Sequence, residues 1–431
     1  MKKILSTILF CTVLLAGMIP LALADDVVTV TWWTWATDAT PAYRAIVDGF
    51  EAANPDVKID LLFISNAEYW SKMPIAIASG TGPDIYQMTR PSYELYAASG
   101  RALNLTDIVA NSTTLQDNLS QMDPTLVDSY MFEGKLMAIP YTVEATCIAY
   151  NKTLFKQAGL PDLKGIEATW TWSDLEEIAN QLTVRDASGN TTQYGFLVPA
   201  DRLPTWEMIW AHGCELFNET KDVCILGEAG VAEALQPLVD MYQAGVSPSV
   251  EATATMTADD MFMSGRIAMI GAGIWKMPTY RGITGFEWDV VELPFDETTG
   301  KRVSSSNVLG FVINPNSKVI DATVRFLEYA TSAEGQSCLS DNHIYIPANV
   351  NVRDSYFEGE TVPENISAYQ RALDYLHPNT LTQYIIYEEF TQLYMDALRL
   401  AYRGDATIAE AMIQLQDKIN DIMEENKANF E

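Results

Sequence analysis

The first part of the chain alternates short apolar runs with amphipathic segments. Residues 27–34 are rich in β-branched and aromatic side chains, which predicts a strand, and residues 38–41 place a proline where a helix begins. Residues 57–64 and 84–88 predict two further strands, with a helix over residues 69–79 between them. Because strands alternate with helices, the pattern predicts βαβ units and a mainly parallel sheet.

The same alternation continues to the C-terminus. Helices are predicted to begin near residue 174 and to cover residues 227–242, 258–263 and 321–331, and strands to cover residues 194–199, 267–271, 289–293 and 309–313. Near the C-terminus, apolar residues recur at spacings of four and three, at Ile408, Met412, Leu415, Ile419 and Ile422. This spacing favours a helix that packs on its own domain over a coiled-coil partner helix.

Residues 136–155 combine two extended apolar runs with a proline-marked bend at Pro140. Glu144 is the single charge in the middle of this segment. A chain crossover between two lobes needs this composition, with one polar side chain facing the space between the lobes. An ordinary β-bend within one domain accounts for it equally well.

The N-terminus has the composition of a signal peptide. Lys2 and Lys3 precede an apolar run over residues 4–15, and residues 22–24 form a small-residue cleavage site. We expect cleavage after Ala24 and export to the periplasm or the outer face of the cell envelope. No cysteine stands at the cleavage point, so no lipid anchor is predicted there.

Length and charge limit the number of domains and the kinds of partner that the protein can have. A chain of 431 residues corresponds to about two domains, and 48% hydrophobic residues are enough for two cores. The formal net charge of −30 argues against nucleic acid and anionic membranes as partners. Past the signal peptide, no apolar stretch is long enough to predict a transmembrane helix.

An exported chain can form disulfides. Cys214 and Cys224 flank residues 215–223, which are predicted to form a hairpin with a polar tip, so we expect these two cysteines to pair. Cys147 and Cys338 are predicted to remain small buried hydrophobic residues.

Sequence motifs for catalysis or metal binding are largely missing. His212, His343 and His377 share no metal-ligand spacing, and no nucleophile-elbow or phosphate-loop motif occurs. Adjacent acids such as Asp259 and Asp260 might suggest the carboxylate pair of a glycosidase, but sequence neighbours do not face each other on a helix. Solvated helix faces explain them better. No cofactor or metal is predicted.

Aromatic residues are the positive indication of function. The chain has 10 Trp and 20 Tyr, and several of them follow predicted strands. An indole or phenol ring buries the C–H face of a sugar, while carboxylate, guanidinium and amide groups bind its hydroxyls. For any single aromatic residue without further context, ordinary core packing remains the favoured interpretation.

Several stretches together resemble a known family. These are residues 28–38, 80–86, 96–100, 139–155 and 262–277, in this order along the chain. They resemble the extracellular sugar-binding proteins of ABC importers, the group that includes maltose-binding protein (family 1 type), and together they cover nearly the whole mature chain. The first loop departs from the maltose-binding pattern because Trp35 stands at a polar position, so the resemblance does not identify maltose as the ligand.

The resemblance implies an α/β fold with two lobes, the type II periplasmic-binding-protein fold, with a ligand cleft between the lobes and hinge crossovers joining them. It places the crossovers near Val143, Ser306 and Tyr345. The N-terminal lobe would contain residues 25–142 and 307–345, and the C-terminal lobe residues 143–306 and 346–431, after a signal peptide over residues 1–24.

The resemblance also implies ligand-binding residues. The loop after the first strand lines the cleft in the family, residues after the third strand do likewise, and further contacts come from the crossover acid and from aromatic positions of the second lobe. In this sequence the matching positions are Trp35, Thr37, Asp38, Thr89, Arg90, Glu144, Trp206, Trp210, Trp275, Tyr384 and Tyr387. The match of the two tyrosines is loose.

The function implied is high-affinity binding of a sugar or oligosaccharide, and its delivery to the permease of an ABC importer by hinge closure, by a protein that is a monomer and not an enzyme. Two alternatives stay open. The same fold could bind a non-sugar solute such as a polyol or glycerol phosphate, although Arg90 and Arg353 offer little cationic lining for phosphate. A secreted carbohydrate-active enzyme would need a role for the acidic residues.

Overall fold

The computed structural model describes residues 27–199, 202–359, 361–378 and 381–428. The predicted signal peptide lies outside these residues. The strands are β1 (Val28–Thr34), β2 (Val57–Phe63), β3 (Ile85–Thr89), β4 (Met131–Phe132), β5 (Lys135–Leu136), β6 (Ile139–Val143), β7 (Thr146–Asn151), β8 (Val184–Arg185), β9 (Thr191–Phe196), β10 (Ile267–Gly273), β11 (Trp288–Glu292), β12 (Ser304–Ser306), β13 (Leu309–Ile313), β14 (Ile346–Pro347) and β15 (Leu376–Pro378).

The helices are α1 (Thr40–Ala53), α2 (Asn66–Ala78), α3 (Arg90–Ala98), α4 (Thr106–Asn111), α5 (Thr113–Ser120), α6 (Pro124–Asp128), α7 (Lys152–Ala158), α8 (Trp172–Leu182), α9 (Thr205–Ala211), α10 (Ala229–Gln243), α11 (Val250–Thr255), α12 (Ala258–Met263), α13 (Met277–Tyr280), α14 (Ile320–Ala330), α15 (Ala333–Asp341), α16 (Val350–Arg353), α17 (Ser367–Ala372), α18 (Tyr387–Arg403) and α19 (Ile408–Lys427). Short 3-10 helices cover Thr37–Ala39, Leu163–Gly165, Ile274–Lys276, Asp354–Phe357 and Leu373–Tyr375.

Two sheets organise the molecule into two lobes. The first has the strand order β14-β6-β13-β3-β1-β2, and the second has the order β11-β7-β10-β9-β8. In the first sheet β1 runs parallel to β2 and β3, whereas β13 runs antiparallel to β3 and β6. The prediction of a mainly parallel sheet therefore describes only part of it. β13 enters from the other lobe rather than through a helical crossover, and so it can run in the opposite direction.

The chain passes between the sheets at several places. It leaves the first sheet after β6 and enters the second at β7, and it returns from β12 to β13. β14 pairs with β6 in the first sheet, although the sequence analysis assigned residue 346 to the second lobe. α16 still packs on α15, and only α17 packs on β7 and β11. The third passage thus comes after Phe357, later than the position predicted near Tyr345.

The buried apolar residues form two clusters, one of which covers the first sheet together with one face of the second, while the other covers the opposite face of the second sheet. Trp32 contacts Tyr43, Phe311 and Phe326 under the first sheet, with ring centroids 4.9 to 5.6 Å apart. Under the second sheet, α19 packs against α10 and α18 and buries the predicted apolar stripe, with Ile422 at its edge. The prediction that the C-terminal helix packs on its own domain is confirmed. Across the described ranges, no helix has the length and apolar character needed to cross a membrane.

Candidate functional site

The junction between the lobes holds a buried carboxyl group. Glu144 lies between β6 and β7 and is 3% exposed, and Asn307 directly follows β12. Asn307 Nδ2 donates a hydrogen bond to Glu144 Oε2 at 2.6 Å. The two residues are far apart in sequence, and the crossovers bring them together. Asn307 was not predicted from the sequence, because an asparagine after a serine-rich strand carries no distinctive pattern.

Burial sets the protonation state of Glu144. Loss of water around the carboxyl raises its pKa to about 8, against the opposing effects of the Asn307 hydrogen bond and the Arg202 charge. At neutral pH the acid is therefore mainly protonated. A protonated carboxyl can donate a hydrogen bond to a hydroxyl oxygen as well as accept one.

A second buried carboxyl, Glu207, lies in α9 and is 1% exposed. Burial raises its pKa to about 7 although Arg202 and Ser305 lower it. Among the described residues, neither carboxylate oxygen has a well-aligned hydrogen bond, so Ser305 lies nearby without satisfying it. The sequence analysis missed Glu207, because a single glutamate in a predicted helix is normally expected to point into solvent.

Arg202 links these two carboxyls to an open pocket. Its charge lowers the pKa of both Glu144 and Glu207, and its Cζ lies 6.0 Å from the ring centroid of Trp206. Arg202 also lines a pocket of about 340 Å³ together with Pro204, Trp275 and Lys276. Guanidinium and ammonium groups beside an indole suit a ligand with hydroxyl oxygens and apolar faces.

Trp275 is held in this pocket by the backbone of β10. It lies in the 3-10 helix that directly follows Gly273, the last residue of β10. Its ring comes within 2.1 Å of the position that a Cβ on Gly273 would occupy, so only glycine leaves room for the indole there. Lys276 Nζ is fixed by Asp259 Oδ1 at 2.6 Å. Trp275 is partly exposed and packs at the edge of the core, as a stacking residue would.

Arg90 lines a second pocket, of about 380 Å³, with Ser306 and Val308 at the second crossover. It is 4% exposed, its Nη2 donates to Glu94 Oε1 at 2.9 Å, and its guanidinium stacks on Tyr93 at 4.5 Å. Among the described residues, Nε and Nη1 are buried without a hydrogen-bond partner. Thr89 exchanges a hydrogen bond of 2.9 Å with Ser92. Arg90 thus keeps donors free beside the junction.

The first loop contributes an aromatic cluster. Trp35 is partly buried, with ring centroids 4.9 Å from Tyr69 and 5.1 Å from Trp70. Thr37 is exposed in the following 3-10 turn. The side chain of Asp38 lies outside the described part of the structure.

The structure buries Trp206, and its ligand contact stays a prediction. Its side chain is fully buried and packs on Trp210, Phe390 and Tyr394 at centroid distances of 5.7 to 6.0 Å, so no ring face is open to a ligand. Trp210 is 5% exposed and stacks on His377 at 4.2 Å, at one end of a separate pocket of about 460 Å³.

Tyr384 and Tyr387 lie away from the Trp275 pocket. Tyr384 lines a pocket of about 630 Å³ between α3 and residues 383–386, and Lys427 Nζ lies 5.8 Å from its ring centroid. Tyr387 starts α18 and packs beside the second core. The structure therefore spreads the predicted residues over several pockets, and Trp275 and Arg90 are the two that line pockets next to the junction.

The predicted disulfide does not form. Cys214 and Cys224 are both free thiols. The expected hairpin exists, but its register sets Cys224 opposite Phe217, and Ile225 donates to the carbonyl of Leu216. Cys214 lies several positions outside this pairing, with its Sγ directed at Gly230. Two cysteines must be opposite each other to form a bridge.

Among the described residues, no group of three or more His, Cys, Asp or Glu side chains could hold a metal ion. The Trp275 pocket is lined by residues of the second lobe, whereas the Arg90 pocket is lined by residues of both lobes at the second crossover. Hydrogen-bonding and aromatic side chains of this kind suit the binding of a solute.

Comparison with known proteins gives the family. Residues 45–366 match the family described as bacterial extracellular solute-binding protein. The chain belongs to this family. The arabinooligosaccharide-binding protein of Halalkalibacterium halodurans is 23% identical over 439 residues, covering 94% of this chain and 92% of that protein.

Solved structures agree on the fold. An ABC substrate-binding protein from Listeria monocytogenes in complex with cycloalternan superposes with a TM-score of 0.82 at 24% identity, covering 92% of this chain and 99% of that one. The sugar-binding protein MalE from Xanthomonas citri gives a TM-score of 0.75 at 20% identity, with coverages of 93% and 99%. The two-lobe fold expected from the resemblance is confirmed.

Proposed function

We propose that this chain binds a sugar or oligosaccharide between its two lobes, outside the cytoplasm, and delivers it unaltered to the permease of an ABC importer. The observation that carries the proposal is the partly exposed Trp275 in a pocket that also contains Arg202 and Lys276, beside the buried Glu144. An indole covers the apolar face of a sugar ring while these polar groups bind its hydroxyls. The names of its relatives, which include binding proteins for arabinooligosaccharides, galactooligosaccharides and maltodextrin, support this ligand class.

Hinge closure is the mechanism we propose. The first lobe contributes Arg90 and the second contributes Trp275, while Glu144 and Asn307 lie at the crossovers. A ligand that contacts both lobes favours the closed form over the open form, as in periplasmic binding proteins generally. We assign residues up to Val143 and residues 307–357 to the first lobe, and most of the remaining described residues to the second, acting as a monomer.

A thermal-shift panel tests the ligand class. Mono-, di- and oligosaccharides, polyols and glycerol phosphate are each titrated against residues 25–431 while unfolding is followed. A ligand that binds only the folded state stabilises it by about 2.7 kcal/mol at a hundredfold excess over its dissociation constant. We expect a rise in melting temperature with one sugar class. A response only to a polyol or to glycerol phosphate would contradict the sugar proposal and favour the alternative.

Mass spectrometry separates binding from catalysis. The sugar that shifts the melting temperature is incubated with the protein and then recovered. We expect it to be released unchanged. Hydrolysis that is lost when Glu144 or Glu207 is replaced by glutamine would contradict the proposal and favour a carbohydrate-active enzyme.

A further inference from the structure

One ion pair joins the two lobes away from the crossovers. Lys221 belongs to the hairpin between Phe217 and Cys224, which packs in the second core, and its Nζ lies 2.9 Å from Glu94 Oε1 on α3 of the first lobe. The side chain of Glu94 is 10% exposed and that of Lys221 is 34% exposed. Partial burial strengthens such a pair over one fully in water.

The carboxylate of Glu94 has two cationic partners. Arg90 Nη2 bonds the same Oε1 atom from within α3, also at 2.9 Å. Arg90 lines the pocket of about 380 Å³ at the second crossover and is a predicted ligand contact. Glu94 therefore connects Lys221 to a predicted ligand-binding residue. Pro378 lines both this pocket and the neighbouring one that contains Lys221. The ion pair therefore links the two lobes close to β15, the strand whose Pro378 lines both pockets.

The hairpin holds Lys221 in an unfavourable backbone conformation. Its φ is +56°, in the left-handed region that asparagine and glycine tolerate better than lysine. Asn218 fixes the loop by donating to Asp222 Oδ1 at 2.7 Å and by accepting the backbone N–H of Asp222 at 3.0 Å. A lysine kept in such a position, in a loop that is otherwise well ordered by hydrogen bonds, is consistent with a function for its side chain.

We propose that Lys221 and Glu94 form a latch that stabilises the closed arrangement of the lobes before any ligand arrives. The latch rests on the proposed hinge-closing function and deepens it. Because the two side chains belong to different lobes, opening of the cleft would separate them, and their attraction would be gained only on closure. Since ligand affinity is scaled by the fraction of molecules in the binding-competent arrangement, the latch sets affinity without touching the ligand. Lys221 is thus a positioning residue that acts through Glu94.

The first test measures the sugar-free protein by small-angle X-ray scattering. We expect K221N to increase the radius of gyration relative to the wild type, and K221R to restore it. Asparagine suits the left-handed backbone, so K221N should keep its melting temperature, which separates the latch from a folding defect. K58Q is the matched control, because Lys58 pairs with Glu51 inside the first lobe. It should leave the radius unchanged.

Salt and ligand give independent readouts. Raising the ionic strength from roughly 0.05 M to 0.5 M should reduce the difference between wild type and K221N, because salt screens the pair. With a sugar identified by the thermal-shift panel, K221N should raise the dissociation constant about fivefold. Equal radii for wild type and K221N at low salt would overturn the latch. Because scattering needs no ligand, a change in radius without binding of any sugar would retain the latch and reject the proposed function.

Discussion

Two groups of ionisable side chains lie close to the crossovers, and they are built differently. In the first, Arg371 bonds Glu167 and Glu292 at 2.8 Å each, and Arg302 bonds Glu292 at 3.2 Å. Asn365 adds a hydrogen bond to Glu167. In the second, Glu144 accepts a hydrogen bond from Asn307, and among the described residues Glu207 has no well-aligned hydrogen-bond partner.

The difference between the groups indicates their roles. Buried charges with matched partners stabilise a fold only as long as every partner is present. Buried carboxyls without matched partners cost stability, and they are found mainly where a ligand or a reaction requires them. We therefore propose a structural role for the group around Arg302 and a ligand-binding role for the group around Glu144 and Glu207.

The largest expected effect comes from breaking the paired group. R302L leaves Glu292 with one cation fewer and removes the Arg302 Nη2 hydrogen bond to the carbonyl of Glu167. We expect the free energy of unfolding in urea to fall by about 3 kcal/mol. R325L is the control, because the pair of Arg325 with Asp56 is exposed, and its unfolding should resemble that of the wild type. Equal stability of R302L and the wild type would contradict the structural role of the group around Arg302.

The pH dependence of stability reports Glu144. Its pKa is raised in the folded protein, so folding holds the proton more tightly than the unfolded chain does. The stability contribution of this proton is complete below the ordinary glutamate pKa and is lost as the pH rises to about 8. We expect E144Q to remove about 2 kcal/mol of the decline in unfolding free energy between roughly pH 6.5 and pH 9. A slope identical to that of the wild type would contradict the assignment.

Replacing Glu207 should change the pH dependence of the unfolding free energy in the same direction, but by less. Its pKa of about 7 means that its proton is lost earlier along the same pH range. We expect E207Q to gain about 1 kcal/mol of unfolding free energy over the wild type between roughly pH 6.5 and pH 9. Urea unfolding at both pH values measures this. Destabilisation at pH 9 would show that the Glu207 carboxylate has a partner that stabilises it.

The smallest effect is expected for Arg202, which lies near both carboxyls. Its charge lowers both pKa values, so R202Q should raise each of them by about half a unit. Carboxyl carbon shifts in an NMR titration measure each group separately. Unchanged pKa values would separate Arg202 from this group of charges.

The sequence predicted the fold better than the site. The alternation of apolar runs predicted the strands, and the site lies at the ends of these strands. The composition of residues 136–155 left a crossover and an ordinary β-bend equally open, and it was the family resemblance that placed Glu144 at a crossover. Asn307, Arg202 and Glu207 were missed because their roles arise from contacts between distant parts of the chain. Asn307, for example, reaches Glu144 across 163 residues.

The disulfide error follows the same rule, and the roles of Trp206 and Trp210 stay predictions. Both were assigned to ligand binding by position, although a tryptophan in an apolar helix more often packs in a core, as Trp206 does. The spacing of Cys214 and Cys224 suited a hairpin bridge, but the register of the hairpin, set by the Phe217–Cys224 pair, decides which residues are opposite. Local pattern did not contain that register.

The central claim is that the sugar binds at Trp275. Isothermal titration calorimetry with the sugar selected by the thermal-shift panel tests this claim most directly. Wild type, W275A and the control W33F are compared, since Trp33 is not among the residues that line the pockets described above. We predict one saturable site in the wild type and W33F, and a loss of about 2 kcal/mol of binding free energy in W275A, about thirtyfold in affinity. Undiminished affinity in W275A would contradict the placement of the sugar between the lobes at Trp275.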